Sequence, residues 1–301
     1  MINVTLRQLR YFDALARQGH FGRAAETCSI SQPALSVQIK ELEDTLGVQL
    51  FERSARKVRL TNVGEDVLTR AREILLSIEE LGDLARASQQ GLSGRLRLGV
   101  IPTIAPYLLP SIMRTLGKNF PALDIHVRET LTSTLLREMD EGRLDAAILA
   151  LPLDDPTLTE VDLFSEEFVL VRAATDAGKP IPNVDTLHRM RLLLLEEGHC
   201  FRDQALEFCN IGGTTPTDGF DGSSLSTLVQ MVGSGIGVTL IPEMAVSVET
   251  RSAPVIVSHF AAPAPQRRVG MVWRKTNPLA DRLEQIAEGV RQSANDLAAQ
   301  L

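Results

Sequence analysis

Three short amphipathic stretches crowd into the first 46 residues, and their two interruptions leave little choice of local architecture. Residues 5–18, TLRQLRYFDALARQ, set Leu6, Leu9, Phe12, Leu15 and Ala16 along one helical stripe, and Gly19-His20 breaks it. Phe21 to Cys28 predicts a second, shorter helix, in which Ala24 and Ala25 are small enough for another helix to approach closely. Ser29-Ile30-Ser31-Gln32-Pro33 follows. Ser31 is a natural N-cap, because its hydroxyl can accept from an unpaired N–H, and Pro33 fits a first turn that needs no N–H from it. A third helix then runs to about Leu46 with Leu35, Ile39, Leu42 and Leu46 inward, and Gly47 ends it. Two short helices, a tight polar turn and a third helix make a helix-turn-helix.

In such a unit the third helix lies in the major groove, its N-terminal polar residues nearest the base edges. Here those are Gln32, Ser36 and Gln38, with Ala34 small enough to meet a thymine methyl. The next stretch, FERSARKVRLT, carries Arg53, Arg56, Lys57 and Arg59 across a strand-turn-strand pattern, as a basic wing against phosphate would. Charge agrees in direction. Residues 1–62 hold nine Lys/Arg and six Asp/Glu, a net +3, whereas residues 63–301 carry −10. A basic head on an acidic body suits a head that meets phosphate. A helical bundle with a charged loop would share much of this pattern. The segment AAETCSISQPALSVQIKELEDTLGVQLFER, followed by Thr61 and Gly64, decides between them, because it resembles the winged helix-turn-helix of LysR-type transcriptional regulators. The resemblance implies that Ser31, Gln32, Pro33, Ala34, Ser36, Gln38, Arg53, Arg56 and Lys57 face double-stranded DNA. It also implies that Cys28 is a core residue.

From Asn62 to about Gln90 no proline intervenes, and Val67, Ala71, Ile74, Ile78, Leu81 and Ala85 form a 4-3-4-3-4 apolar seam. Such a helix extends about 42 Å, more than a small domain can cover, so a dimerising coiled coil is expected. Gly91-Leu-Ser-Gly94 reads as a hinge after it.

Beyond the hinge the order β-α-β-α-β is legible in residues 95–100, 106–118, 123–129, 134–141 and 145–150, which predicts a doubly wound sheet. A second set follows: strands at 168–174 and 190–198, a helix at 224–233, and a strand at 237–241. The final strand, 267–274, and a helix with Leu279, Leu283, Ile286 and Val290 inward are expected to return to the first set. The fold class is therefore α/β behind an all-α winged head. It resembles the two-lobed, periplasmic-binding-protein-like effector domain of the LysR family, and the cleft between such lobes is the default ligand site. The expected boundaries are 1–62, 63–90 and 91–301, with lobe I at 91–164 and 268–301 and lobe II at 165–267.

Several functions are disfavoured. The longest strictly aliphatic run, Leu192–Leu195, is too short to span a bilayer, and no signal-peptide pattern opens the chain, so a cytoplasmic protein without membrane contact is expected. No phosphate-binding glycine loop is present; Gly233-Ser-Gly-Ile-Gly237 runs from helix to strand, the reverse of a dinucleotide loop. The five histidines and three cysteines lack metal spacing, and no hydrolytic constellation stands in motif context, so neither cofactor, metal nor enzymatic turnover is expected.

Two cysteines with eight residues between them, Cys200 and Cys209, are on their own most simply buried small hydrophobes. Their surroundings allow more. Gly198-His199 precedes Cys200 and Phe201-Arg202-Asp203 follows it, at the expected start of a helix over RDQALEFC. A helix N-terminus, His199 and Arg202 would each favour the thiolate, the form that attacks peroxide oxygen. If 200–209 is helical, the two Cα atoms stand about 13 Å apart, whereas a disulfide needs them within about 7 Å.

GHCFRDQALEFC, IPTIAPYLLP (101–110) and RRVGMVWR together resemble the peroxide-sensing members of the LysR family over nearly the full chain. That resemblance implies that Cys200 is oxidised first, to sulfenic acid, and that Cys209 resolves it as a Cys200–Cys209 disulfide, which an intact helix forbids. It implies that Thr103 and Thr132 hydrogen-bond hydrogen peroxide, and that His199, Arg202, Asp203 and Arg268 shape the pocket. A strand-to-helix cap would also explain Thr103, a capping carboxylate Asp203, and an inter-lobe ion pair Arg268. Implied partners are RNA polymerase, a glutaredoxin or thioredoxin system for reduction, and further copies of the chain in a tetramer built as a dimer of dimers. A LysR-type regulator responding to a small metabolite in the inter-lobe cleft is the alternative, and a stand-alone thiol peroxidase a more distant one.

Overall fold

The computed structural model describes residues 3–52, 58–87, 94–182, 187, 190–208 and 221–299. They form two compact units, Met1–Ala85 and Arg86–Leu301.

The first unit opens with α1 (Leu6–Gln18), α2 (Phe21–Thr27) and α3 (Gln32–Leu46). Each end has a local cause. Thr5 and Gln8 form a capping box on α1, and Gly19 closes it in the left-handed conformation. Ser31 accepts from the Ala34 N–H to cap α3, a contact of about 1 kcal/mol. Gly47 closes α3 at φ 71°. Leu9, Phe12, Leu15, Ala24, Leu35, Ile39 and Leu42 form the core, whereas Leu6 stands 40 % exposed and is not part of the stripe that packs. An antiparallel bridge, Phe51–Leu60, closes the base of the wing, and Glu52 N–H donates to the Arg59 carbonyl. Arg53, Arg56 and Lys57 lie outside the described residues.

Helix α4 spans Asn62–Ala87. The Thr61 hydroxyl donates to the Gln49 carbonyl and accepts from the Gly64 N–H, and a Cβ at residue 64 would collide with the Leu50 carbonyl. Only glycine lets the helix start so close to the wing. The predicted seam divides. Ala71 is buried in the unit's own core with Val67 packed beside it, while Ile74, Ile78 and Leu81 are exposed. Cys28 caps α2, half-buried, and burial together with Asp13 pushes its thiol up, which disfavours the reactive thiolate.

The second unit contains β1 (Gly94–Val100), α5 (Ala105–Asn119), β2 (Leu123–Glu129), α6 (Thr132–Asp140) and β3 (Ala146–Leu151) in the expected order. β1 pairs in parallel with β2 and β3. Every residue of β3 is buried, as a central strand covered on both faces should be. Strand β4 runs over Leu158–Ala173, starting ten residues before the predicted 168–174. Its first part pairs antiparallel with β9 (Gln266–Arg274), around a bulge between Asp162 and Phe164. Its last part pairs with β7 (Thr239–Pro242) and β8 (Val255–Ser258). β9 also pairs with β3, so one seven-stranded sheet, β2-β1-β3-β9-β4-β7 with β8 on β4, joins both halves.

The strand expected over 190–198 shrinks to β5 (Leu194–Leu195), paired with β6 (Asp221–Gly222). Helices α7 (Cys200–Phe208), α8 (Leu225–Gly233) and α9 (Val246–Glu249) follow in sequence. Helix α10 (Ala280–Ala298) buries Leu283, Ile286 and Val290 and packs on α5. Two hydrophobic cores result. One gathers around β1, β3, α5 and Trp273, and the other around Phe168–Val171, Leu192–Leu195 and Phe201. No helix among the described residues is long and apolar enough to cross a membrane.

Candidate thiol site and nucleic-acid interface

Cys200 is the first residue of α7 and carries a free, half-buried thiol. Its side chain packs against the first core, while its neighbour Phe201 is 3 % exposed and belongs to the second. Gly198 makes the approach possible. It adopts φ 97°, open to few side chains, and a Cβ there would stand 3.1 Å from Leu131. The thiol borders a shallow depression, partly open to solvent, whose polar walls are Thr103, Thr132, His199 and Cys200. Ile101, Pro102, Leu131 and Phe201 supply the apolar walls.

The two threonines differ. Thr103 is 2 % exposed, and its hydroxyl accepts from Arg267 Nη1 at 2.8 Å while its carbonyl accepts from Nη2 at 3.1 Å. A hydroxyl that accepts from a guanidinium keeps its own proton to donate elsewhere. Thr132 begins α6, two residues before the predicted start, and its buried hydroxyl oxygen has no hydrogen-bond partner. A hydroxyl beside a thiol can both donate to and accept from a small polar molecule that approaches the sulfur.

Of the charged groups expected here, the structure brings one to the depression. His199 lines it, but burial pushes its imidazolium below the ordinary histidine range, with Glu196 opposing. It therefore serves as a neutral hydrogen-bonding group at neutral pH, and not as the cation expected to favour thiolate. Arg202 turns away, donating to the Leu195 carbonyl at 2.7 Å and to Asp221 at 2.6 Å. Its charge is spent on those partners. Asp203 is exposed in the first turn of α7. Arg268 lies half-exposed, 3.6 Å from Asp162. Cys209 lies outside the described residues.

Sequence reasoning passed over Arg267. Its side chain is fully buried, ion-paired to Glu166 at 2.5 Å and stacked 5.7 Å over the Phe201 ring, as well as bonded to Thr103. Glu166 also accepts from the Met244 N–H. Strand alternation explains the exchange with Arg268. Arg267 shares the face of Val269, Met271 and Trp273, and Arg268 the opposite one. That period was present in RRVGMVWR and could have found it.

At the other end of the chain, Ser31, Gln32, Pro33, Ala34 and Ser36 are all exposed around the start of α3. Gln38 is half-buried and donates to Glu41 at 2.7 Å, so part of its amide is already used. Five adjacent small or polar residues on the exposed N-terminal turns of a recognition helix form a surface a major groove can accept.

Residues 6–65 match the family model for the bacterial regulatory helix-turn-helix protein, lysR family, and residues 89–295 that for the LysR substrate binding domain. A probable hydrogen peroxide-inducible genes activator from Streptomyces viridosporus is 43 % identical, over 99 % of this chain and 96 % of its own. A full-length OxyR from Pseudomonas aeruginosa, altered at one cysteine, is 40 % identical with a TM-score of 0.75, covering 96 % of this chain and 95 % of its own. A hydrogen-peroxide-bound cysteine mutant of Corynebacterium glutamicum OxyR is 37 % identical with a TM-score of 0.67, covering 99 % and 94 %. A helix-turn-helix head, an effector unit of two cores and a thiol at their seam, matched end to end by these relatives, place this chain in the OxyR group of the LysR family of transcription regulators.

Proposed function

We propose that this chain is a hydrogen-peroxide-sensing, DNA-binding transcription regulator switched by oxidation of Cys200 and a Cys200–Cys209 disulfide. The observation that carries the proposal is the thiol at the head of α7 beside the partnerless Thr132 hydroxyl and the Arg267-held Thr103. In the first step the Cys200 thiolate attacks one peroxide oxygen and the O–O bond breaks. The departing hydroxide takes a proton and leaves as water, and Cys200 becomes a sulfenic acid. The Thr103 and Thr132 hydroxyls hold the peroxide, and Cys200 at the head of α7 presents its sulfur to it. In the second step the Cys209 thiolate attacks the Cys200 sulfur and expels hydroxide, which is protonated to a second water. Peroxide is reduced by two electrons and the two thiols are oxidised by two. Arg267 holds Thr103 in place; His199 contributes hydrogen bonding, and Asp203 and Arg268 act at the margin of the site. A dithiol reductant of the glutaredoxin or thioredoxin class restores both thiols.

DNA is read through Ser31, Gln32, Pro33, Ala34, Ser36 and Gln38, with Arg53, Arg56 and Lys57 on phosphate. Residues 1–62 act as the DNA-binding head, 63–90 as the dimerising helix and 91–301 as the sensor, with lobe I at 91–164 and 268–301 and lobe II at 165–267. The working assembly is a cytoplasmic tetramer, a dimer of dimers that contacts RNA polymerase and acts as a sensor without enzymatic turnover. DNA footprinting of the full chain with and without one equivalent of hydrogen peroxide tests the proposal. The footprint is expected to change in the parent and not in Cys200→Ser, and mass spectrometry of oxidised protein should find residues 200 and 209 linked. A peroxide-dependent footprint that survives Cys200→Ser overturns it.

A further inference from the structure

Away from the thiol site, a cavity of about 380 Å3 lies beside the C-terminal part of β4, large enough for a small organic ligand. Arg172, 5 % exposed, forms part of its wall. Its Nη1 donates to the carbonyls of Lys179 and Pro180 at 3.3 and 3.2 Å, and its Nη2 to the Ser258 hydroxyl at 3.0 Å. All three acceptors are neutral. The buried Nε has no partner, and among the described residues no carboxylate stands within ion-pair distance. Arg202 and Arg267, equally buried, each have one. A guanidinium carries five N–H donors; Nη1 and Nη2 spend theirs on neutral acceptors, so the charge itself is met by no anion among the described residues. Burying a cation without a counter-ion is costly, and an anion beside it recovers much of that cost.

We propose that this cavity is a binding site for a small carboxylate with an apolar body. The single charge left unmatched among the described residues suits a monoanion. Pro180, Ile181, Pro182 and Met190 offer aliphatic walls, unsuited to a phosphate that needs donors on every side. Asp176, also on the wall, does not repel the ligand strongly, because Lys179 holds it at 2.5 Å. The site is separate from Cys200: none of its lining residues borders the thiol depression.

Calorimetric titration of the reduced full-length protein with hexanoate, and separately with inorganic sulfate, tests the proposal. Saturable hexanoate binding at one site per chain is expected, weakened about tenfold or more in Arg172→Met. Because Arg172→Met removes three hydrogen bonds and can fail to fold, Ile181→Asp provides the second variant. Ile181 is 51 % exposed, so the fold tolerates the change, while the new carboxylate repels the ligand. Cys200→Ser should bind hexanoate as the parent does, whatever becomes of the peroxide response. The proposal is overturned by absence of saturable hexanoate binding, by equal affinity in Ile181→Asp, by sulfate binding as tightly as hexanoate, or by loss of binding in Cys200→Ser.

Discussion

Thr103 and Thr132 flank the same depression, yet their hydroxyls are in opposite states, and substitution should separate them. Thr103→Val leaves Arg267 Nη1 buried without its acceptor and should cost about 1–3 kcal/mol of folding stability. Thr132→Val removes a hydroxyl that bonds nothing, so stability should hold or rise slightly, while oxidation of Cys200 by peroxide slows about tenfold. Thermal melts and stopped-flow oxidation read the two effects; equal destabilisation by both variants would contradict the assignment. His199 gives a pH prediction. Burial makes the folded state take up the imidazole proton at lower pH than the unfolded chain does. The unfolded state therefore binds more protons below its pKa of about 6.5, and stability is lost as pH falls through that point. Between pH 7.5 and 5.5 the melting temperature of His199→Asn should fall less steeply than that of the parent. Parallel slopes would count against it.

Helix α7 is tied at its start to the strand that follows residues 209–220. Arg202 bonds both the Leu195 carbonyl on β5 and Asp221 on β6, while the Glu196 N–H donates to the Gly222 carbonyl. Linking Cys200 to Cys209 requires part of α7 to unwind, which this tie resists. Asp221→Asn should therefore shift the thiol–disulfide equilibrium in glutathione buffers toward the disulfide, about three- to tenfold because Asp221 is half-exposed. An unchanged midpoint would show that the tie does not oppose oxidation. Elements with local causes were readable beforehand: the caps at Ser31 and Gly47, the β-α-β-α-β run, and the buried face of α10. The first ten residues of β4 were not, because their alternation is broken by the bulge between Asp162 and Phe164. The site was legible as a set of residue types and less so as geometry. His199 and Thr103 line the depression, but Arg202 finds its partners on β5 and β6, distant contacts that no local pattern carries.

Across the whole molecule, the two compact units carry different chemistry. Along α4, Ala71 turns into the head's own core, whereas Ile74, Ile78 and Leu81 are left at 47 %, 37 % and 62 % exposure. That uncovered stripe is where a second copy would pack. Ile78→Glu with Leu81→Glu should convert the assembly to smaller species in sedimentation experiments and weaken DNA binding at least tenfold, since each head then binds alone. A double variant that sediments like the parent would rule out this face. In the sensor unit, Cys200 leans on one hydrophobic core and Phe201 is sunk in the other. One peptide linkage thus joins a sulfur seated in one half to a ring anchored in the other. A chemical change at that sulfur therefore acts where the two halves of the unit are covalently closest, rather than deep inside either one.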